Sequence, residues 1–152
     1  WQEVDISVVP GISAMLAAAA RAGAPLGHDF CVLSLSDNLK PWDIVLKRLE
    51  AALSADFVVV LYNPASKARS WQLEEAFRLI AGHRSGTTPV IFAHAVGQAD
   101  ERIEITTLAK ADPRSADMRT LIIVGSSATR IAGNGTGRTF VYTPRHAELV
   151  DP

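Results

Sequence analysis

The sequence predicts an α/β domain of three layers (αβα), in which helices cover both faces of a mixed, mostly parallel sheet of about five strands. Two observations carry this prediction. Short apolar runs that are typical of buried strands alternate with longer segments whose apolar residues recur at helical spacing. In the last third of the chain, strand-like segments follow one another without helices between them, which indicates a mixed sheet rather than a wholly parallel one.

Strands and helices can be assigned from these patterns. Runs rich in β-branched and aromatic residues predict strands at residues 6–9, 30–35, 57–62, 89–95, 102–106, 121–124 and 140–142. Helical spacing predicts helices at residues 13–23, 41–55 and 69–82. In the third helix, the side chains expected to face the core are Trp71, Ala76, Phe77 and Ile80.

The composition is that of one globular domain. The chain has 152 residues, of which 48% are hydrophobic and 20% charged, so it can bury a core of ordinary size. Its net charge of -1 indicates neither a general nucleic-acid-binding protein nor a basic membrane surface. The longest apolar stretch, residues 12–20, is too short to cross a bilayer and lacks the charged leader of a signal peptide. We therefore expect a cytoplasmic protein.

Cysteine usage predicts neither a disulfide nor a metal site. Cys31 is the only cysteine, and it lies in the apolar run 30–33, which we interpret as a buried strand. A cysteine there behaves as a small hydrophobic core residue. No Cys/His cluster has the spacing of metal ligands.

The beginning of the chain indicates a piece of a longer protein. The chain starts at Trp1 rather than at a methionine, and it is already in a strand-like run by Ile6. We interpret residues 1–152 as a single domain, the C-terminal part of a larger two-domain protein whose N-terminal domain is absent from this sequence.

Four strand ends form the predicted binding edge. In open α/β sheets, ligands bind in the crevice at the carboxyl ends of the strands. In this sequence the strand ends are residues 10–13, 62–64, 94–96 and 125–127.

Three of these ends carry polar groups, and each has a plainer alternative. Gly11 lets a ligand approach the backbone, and the helix start that follows offers free N–H groups, although the same turn serves any helix start. Lys67 and Arg69, which follow the Tyr62 strand, could clamp carboxylates or be solvated cations. Arg130 follows the small residues 125–129 and has the same two interpretations.

Together these segments resemble the tetrapyrrole (corrin/porphyrin) methylase family. Residues 9–14, with Pro10-Gly11-Ile12-Ser13 at their centre, are similar to a region shared by the wide family. Other segments resemble the narrower precorrin-3B C17-methyltransferase branch: residues 33–37 with 41–42, 61–64 with 66–69, 100–101 with 105–108, 117–127 and 143–145. The resemblance covers nearly the whole chain.

The resemblance implies two α/β domains that enclose S-adenosylmethionine in the cleft between them, and a homodimer. The cofactor-binding residues that it implies are Ser13, Ala14, Tyr62, Asn63, Ala95, Val96, Gly125 and Ser126. The glycine-rich loop and the Gly-Asp-Pro-like segment of the family's N-terminal half are absent from this sequence. We therefore expect the isolated chain to be inactive.

The reaction implied is methyl transfer to C17 of precorrin-3B, with ring contraction to precorrin-4, in cobalamin (vitamin B12) biosynthesis. The sulfonium of the cofactor is a good leaving group, so the protein supplies mainly alignment and a dry site. His94 is the candidate catalytic residue, as a proton carrier, and the alternative is a structural histidine hydrogen-bonded at the strand end. The substrate carries acetate and propionate groups, and the cations expected to bind them are Lys67, Arg69, Arg130 and Arg145. Arg130 and Arg145 could equally be ordinary surface charges.

Other interpretations stay open. A member of the family could act in diphthine synthesis or in ribosomal RNA ribose methylation, although the near-zero net charge and the segment Tyr62-Asn63-Pro64 count against RNA. The chain could instead be a non-catalytic α/β module that dimerises or serves as a scaffold. The residues do not distinguish precorrin-3B from its cobalt-containing analogue.

Overall fold

A computed structural model describes residues 3–65, 71–133 and 137–146 of the chain. The helices within these ranges are α1 (Ala14–Ala22), α2 (Trp42–Ser54) and α3 (Gln72–His83). The strands are β1 (Gly23–Ala24), β2 (Phe30–Ser34), β3 (Val58–Tyr62), β4 (Pro89–His94), β5 (Arg102–Thr107), β6 (Thr120–Val124), β7 (Arg130–Gly133) and β8 (Thr139–Tyr142). Short 3-10 helices occupy Leu108–Lys110 and Pro113–Ser115.

The main sheet has five strands in the order β2-β3-β6-β4-β5 and is mixed, as predicted. β2 and β3 are parallel, whereas β6 is antiparallel to both β3 and β4, and β5 is antiparallel to β4. Three of the five strands point in one direction. Because β6 separates β3 from β4, however, most neighbours in the described sheet are antiparallel.

The reversal of β6 follows from the path of the chain. β4 and β5 form an antiparallel pair, and residues 108–119, with their two 3-10 helices, then return to the edge where β4 ends. Thr120 consequently pairs with His94, the last residue of β4, and Val124 pairs with Val90 near its start.

Helices cover both faces of this sheet, which confirms the three layers. Val59 and Leu61 of β3 pack with α2 and α3 in one core cluster, and Val58 and Val60 pack with α1 in a second cluster. Successive side chains of a strand point to opposite faces, and here both faces are buried. This is why β3 is a continuous apolar run. No described helix is long and apolar enough to span a bilayer.

A second, smaller sheet of order β1-β8-β7 lies on the α1 side, where Val141 joins the core beneath α1. The sequence did not predict β1 or β7, which have two and four residues. α1 ends at Gly23, whose φ is 128°. A Cβ atom at Gly23 would lie 2.6 Å from the carbonyl oxygen of Val141, so glycine is needed where α1 turns into this sheet.

Three sequence-based predictions are wrong in detail. Residues 6–9 have the β-branched composition of a strand but form none, and Val8 and Val9 are 91% and 85% exposed. β2 is an edge strand rather than a buried one, although its Cys31 packs against the core on the α2–α3 side. Trp71 is 49% exposed because it precedes the first turn of α3 rather than lying on its inner face.

Candidate functional site

One edge of the main sheet collects most of the predicted site residues, and we call it the carboxyl edge. β2, β3 and β4 end there and β6 begins there. α2 and α3 also begin there, since each follows one of these strands, and the first turn of α1 contacts the end of β3. Helix N-termini carry partial positive charge and free N–H groups. The first turns of α2 and α3 also carry Asp43, Glu74 and Glu75, so the edge offers hydrogen-bond donors but not a purely positive surface.

Tyr62 holds the start of α1 at this edge. The backbone N–H of Met15 donates to the phenolic oxygen of Tyr62 at 3.0 Å. Ser13 is the N-cap residue, but its hydroxyl makes no capping bond, and its Oγ is buried without a partner among the described residues. Ala14, the first residue of the helix, is exposed. A buried hydroxyl without a partner is unusual, so Ser13 has unused hydrogen-bonding capacity at this point.

The residues that immediately follow β3 and β4 adopt left-handed backbone conformations. Asn63 has φ of 51° and Ala95 has φ of 49°. Asparagine tolerates this region, whereas for alanine it is a strained conformation of the kind that is common at ligand-binding sites. The side chain of Asn63 donates to Ser34 Oγ at 3.0 Å, and the N–H of Ala95 donates to the carbonyl of Arg119 at 2.9 Å. The two left-handed turns thus lie on either side of the start of β6.

Both ring nitrogens of His94 face carboxylates. Nδ1 lies 3.1 Å from Asp117 Oδ1, Nε2 lies 3.6 Å from Asp100 Oδ2, and the side chain is only 12% exposed. Burial raises the pKa of Asp117, but hydrogen bonds from Thr120 and the N–H of Arg119, together with His94, outweigh it and hold the pKa below its usual value. A ring clamped in this way supports the structural interpretation of His94 over that of a free proton carrier.

The loop after β4 is braced by two ion pairs. The guanidinium of Arg119 donates to both oxygens of Asp100 at 2.7 and 2.8 Å and lowers the pKa of that carboxyl. Glu101 accepts from the N–H of Gly97 at 2.6 Å and from Arg21 of α1 at 2.7 Å, and the same two contacts, in that order, lower its pKa. Within this loop Val96 is partly buried against the core on the α1 side. The loop therefore keeps a fixed shape beside Ala95.

Gly125 and Ser126 lie at the opposite edge of the sheet, which corrects the prediction that all four strand ends meet. β6 is antiparallel to β3 and β4, so its carboxyl end lies beside their beginnings. The N–H of Gly125 accordingly donates to the carbonyl of Pro89 at 2.9 Å. A Cβ atom at Gly125 would lie 2.6 Å from the Cβ of Thr129, so close packing explains this glycine.

The two predicted substrate cations that the structure describes, Arg130 and Arg145, lie away from the carboxyl edge. The guanidinium of Arg130 donates to the carbonyls of Ser127 and Thr129, at the opposite edge. Arg145 is exposed and follows Thr143, whose hydroxyl lies 2.9 Å from that of Thr129. Lys67 and Arg69 lie outside the described residues.

The opposite edge is held together by a buried arginine. Arg84, at the end of α3, donates to the carbonyls of Leu53, Phe57 and Gly125 at 2.9 to 3.2 Å and lies 3.3 Å from Asp56. Burial lowers the pKa of its guanidinium, and the charge of Asp56 acts in the other direction. Arg84 therefore links the ends of α2, α3 and β6 at this edge and stabilises the fold there.

Sequence reasoning missed the residues that begin β6. Thr120 is 5% exposed, and its hydroxyl donates to Asp117 Oδ1 at 2.7 Å. Asp117, Arg119 and Thr120 occupy the place at the carboxyl edge where Gly125 and Ser126 were expected. A signal was available in the length of the segment between β5 and β6, which is long enough to return the chain to the other edge.

Comparison with known proteins identifies the family. Residues 1–112 match the model of the Tetrapyrrole (Corrin/Porphyrin) Methylases. The chain belongs to the tetrapyrrole methylase family. Among relatives, it is 54% identical over 145 residues to a precorrin-3B C(17)-methyltransferase of Sinorhizobium sp., covering 95% of this chain and 57% of that one.

Two further methyltransferases match most of this chain and about half of their own length. A probable cobalt-factor III C(17)-methyltransferase of Salmonella typhimurium is 44% identical over 129 residues, which cover 85% of this chain and 54% of the relative. A crystal structure of the methyltransferase CobJ superposes with a TM-score of 0.85 at 46% identity and covers 92% of this chain and 56% of that one. The chain thus spans little more than half the length of these relatives.

Proposed function

We propose that the protein containing this chain transfers a methyl group from S-adenosylmethionine to C17 of precorrin-3B, with ring contraction to precorrin-4. The sequence identity of 54%, over nearly the whole chain, to a relative named precorrin-3B C(17)-methyltransferase supports this activity. The observation that carries the proposal is the carboxyl edge itself, where the left-handed turns at Asn63 and Ala95 lie among helix N-termini. A cytoplasmic homodimer belongs to the same proposal and rests on composition and family resemblance.

The α1 side of the carboxyl edge is the proposed cofactor position. The buried, unpartnered Oγ of Ser13 fits a ligand that brings a polar group to the start of α1. S-adenosylmethionine, when bound, supplies the methyl group on a sulfonium. The proposed contact residues are Ser13, Ala14, Tyr62, Asn63, Ala95 and Val96. Gly125 and Ser126 leave this set because they lie at the other edge.

The residues of this chain act by alignment rather than by covalent catalysis. The left-handed turn at Ala95 fixes the carbonyl and N–H directions of the loop that faces the proposed site. His94, clamped by Asp117, holds that turn against the start of β6. We assign His94 to positioning, and the transfer then depends on the geometry of approach and on exclusion of water.

The carboxylates of the substrate need cations or N–H groups at the same edge. Lys67 and Arg69 follow β3 in the chain and stay proposed for this role. Arg130 and Arg145 do not, since they lie at the opposite edge. The free N–H groups at the starts of α2 and α3 are further candidates for acetate and propionate.

The test is calorimetry with S-adenosylhomocysteine on the intact protein, its Ser13→Ala variant and a control variant, Ser54→Ala, at the C-terminal end of α2. We expect the intact protein to bind, Ser13→Ala to bind several-fold more weakly and Ser54→Ala to bind normally. Mass spectrometry of precorrin-3B incubated with the intact protein and S-adenosylmethionine should show one added methyl group. Failure of the intact protein to bind or to methylate contradicts the proposal.

A cobalt-containing substrate is the second candidate, because the Salmonella typhimurium relative is named for cobalt-factor III. Competition between precorrin-3B and cobalt-factor III in the same assay decides between them. The substrate that is methylated with the larger kcat/KM is the physiological one.

A further inference from the structure

The exposed indole of Trp71 is the largest apolar group at the carboxyl edge that the proposed cofactor position does not use. The residue is 49% exposed and stands at the start of α3. Its ring packs edge-on against Trp42, with centroids 5.5 Å apart and planes at 78°. Trp42 in turn donates from Nε1 to Glu75 at 2.7 Å. Trp71 is therefore a braced aromatic surface open to solvent.

The neighbouring residue has an unsatisfied acceptor. Gln72 is 3% exposed, and its Nε2 donates to Asp37 at 3.0 Å. Because a carboxylate only accepts, this bond fixes which end of the amide is the oxygen. Oε1 of Gln72 is buried without a hydrogen-bond partner among the described residues. A bound group that brings an N–H donor to this end of α3 would satisfy it.

Trp71 and the cofactor position lie on different faces of the sheet. Gln72 is the first residue of α3 and Trp71 immediately precedes it, on the face of the sheet that α2 and α3 cover. The ring of Tyr62 packs with the core on the α1 side, and its oxygen contacts the start of α1. The carboxyl edge between them is therefore approached from two sides.

We propose that Trp71 is the surface on which the conjugated tetrapyrrole lies, with the cofactor on the α1 side. This inference rests on the proposed function. The conjugated part of the ring can stack on an indole face. Its carboxylates can accept from the N–H groups where α2 and α3 begin, beside the acidic Asp43, Glu74 and Glu75 of the first turns. Trp71 is thus a specificity-determining residue for the ring.

The experiment uses the intact protein with uroporphyrin, a stable tetrapyrrole with acetate and propionate groups, as the probe. Binding is measured by titration for the wild type, Trp71→Ala, Trp71→Phe and the control Tyr142→Ala. Tyr142 is 43% exposed in β8, away from the carboxyl edge. We expect Trp71→Ala to weaken uroporphyrin binding about ten-fold, the size of a lost aromatic stacking contact, with Trp71→Phe and Tyr142→Ala near the wild type. S-adenosylhomocysteine affinity should stay unchanged in all four.

Three outcomes overturn the inference. Wild-type affinity of Trp71→Ala for uroporphyrin removes the stacking role. An equal loss of affinity for uroporphyrin and for S-adenosylhomocysteine in Trp71→Ala means that the indole merely supports the fold. A change in oligomeric state by light scattering, with uroporphyrin binding intact, means that a second copy covers Trp71. If the wild-type protein binds S-adenosylhomocysteine in these cases, the proposed function stands while this inference fails.

Discussion

The backbone N–H of Met15 donates a hydrogen bond of 3.0 Å to the phenolic oxygen of Tyr62, and so joins the first turn of α1 to the end of β3. The two residues are 47 positions apart in the chain. Helix N-termini leave several N–H groups without intrahelical partners, and here a side chain from the sheet supplies one acceptor. The position of α1 over the carboxyl edge thus depends on the last residue of a central strand.

Tyr62→Phe removes this acceptor and keeps the ring. We expect the free energy of unfolding to fall by about 1 kcal/mol, because the N–H of Met15 loses its partner. In the intact protein, S-adenosylhomocysteine should also bind several-fold more weakly while uroporphyrin affinity stays the same. Urea denaturation and calorimetry measure the two effects, with Tyr142→Phe as the control. Unchanged stability and affinity would show that the bond does not position α1.

Ala95→Gly separates backbone strain from function. Glycine adopts the left-handed conformation freely, so the relief of strain should outweigh the extra chain entropy and raise the free energy of unfolding by about 0.5 kcal/mol. Ala93→Gly, in the regular part of β4, should instead lower it by about 1 kcal/mol. Denaturant titration of both variants checks the difference in sign. A loss of stability in Ala95→Gly would mean that the turn is not strained.

His94→Asn tests the positioning role of the imidazole. Asparagine can still donate to Asp117, so the intact His94→Asn enzyme should keep most of its kcat and an unchanged pH profile, whereas His94→Ala should lose both activity and stability. If His94 carried a proton in the reaction, kcat would instead fall about a hundred-fold or more in both variants. Steady-state rates across pH decide between these roles.

Stability should fall in acid through the carboxyl groups of Asp117 and Asp100. Their folded pKa values are depressed, Asp100's chiefly by Arg119 and Asp117's by the hydrogen bonds that outweigh its burial. A carboxyl group whose pKa is depressed in the folded state stabilises the fold fully above its unfolded pKa of about 4. That stabilisation is lost as the pH falls through the folded pKa. Asp117→Asn should therefore flatten the acid limb of the stability profile, measured by urea denaturation, whereas exposed Asp5→Asn should not. An acid limb that Asp117→Asn leaves unchanged contradicts this assignment.

Arg84→Met should be the most destabilising change at the opposite edge. It removes the guanidinium that donates to the carbonyls of Leu53, Phe57 and Gly125 and pairs with Asp56, so we expect a loss of about 3 kcal/mol. Arg78→Met is the matched control, because Arg78 is exposed on the same helix and lies 3.9 Å from Glu74. Its effect should stay within about 0.5 kcal/mol. Similar losses in the two variants would argue against a buried network.

The positions of the elements could be predicted from the sequence, but the direction of β6 could not. A run such as Thr120–Val124 is buried on both faces, and burial is the same whichever way a strand runs. The prediction therefore placed the carboxyl end of β6 at the binding edge, where its amino end lies. Tyr62, Asn63 and Ala95 were placed correctly because β3 and β4 follow helices that return the chain to the same starting edge.

Residues 6–9 and Trp71 show the other limit of sequence patterns. A β-branched run forms a strand only where a neighbouring strand is available, and Val8 and Val9 have no pairing partner among the described residues. Helical spacing likewise assigns Trp71 to the inner face of a helix that starts one residue later. In both cases the apolar residues are identified correctly, but the neighbouring elements that would bury them are not.

The insertion of β6 between β3 and β4 also dictates the order in which the domain can fold on the ribosome. Val59 pairs with Val124, and Val90 pairs with the same residue from the other side. Until that segment emerges, β3 and β4 face each other across a gap, with their backbone groups unpaired and exposed to other chains. The nascent chain is therefore most vulnerable to aggregation late in synthesis, just before its central strand arrives.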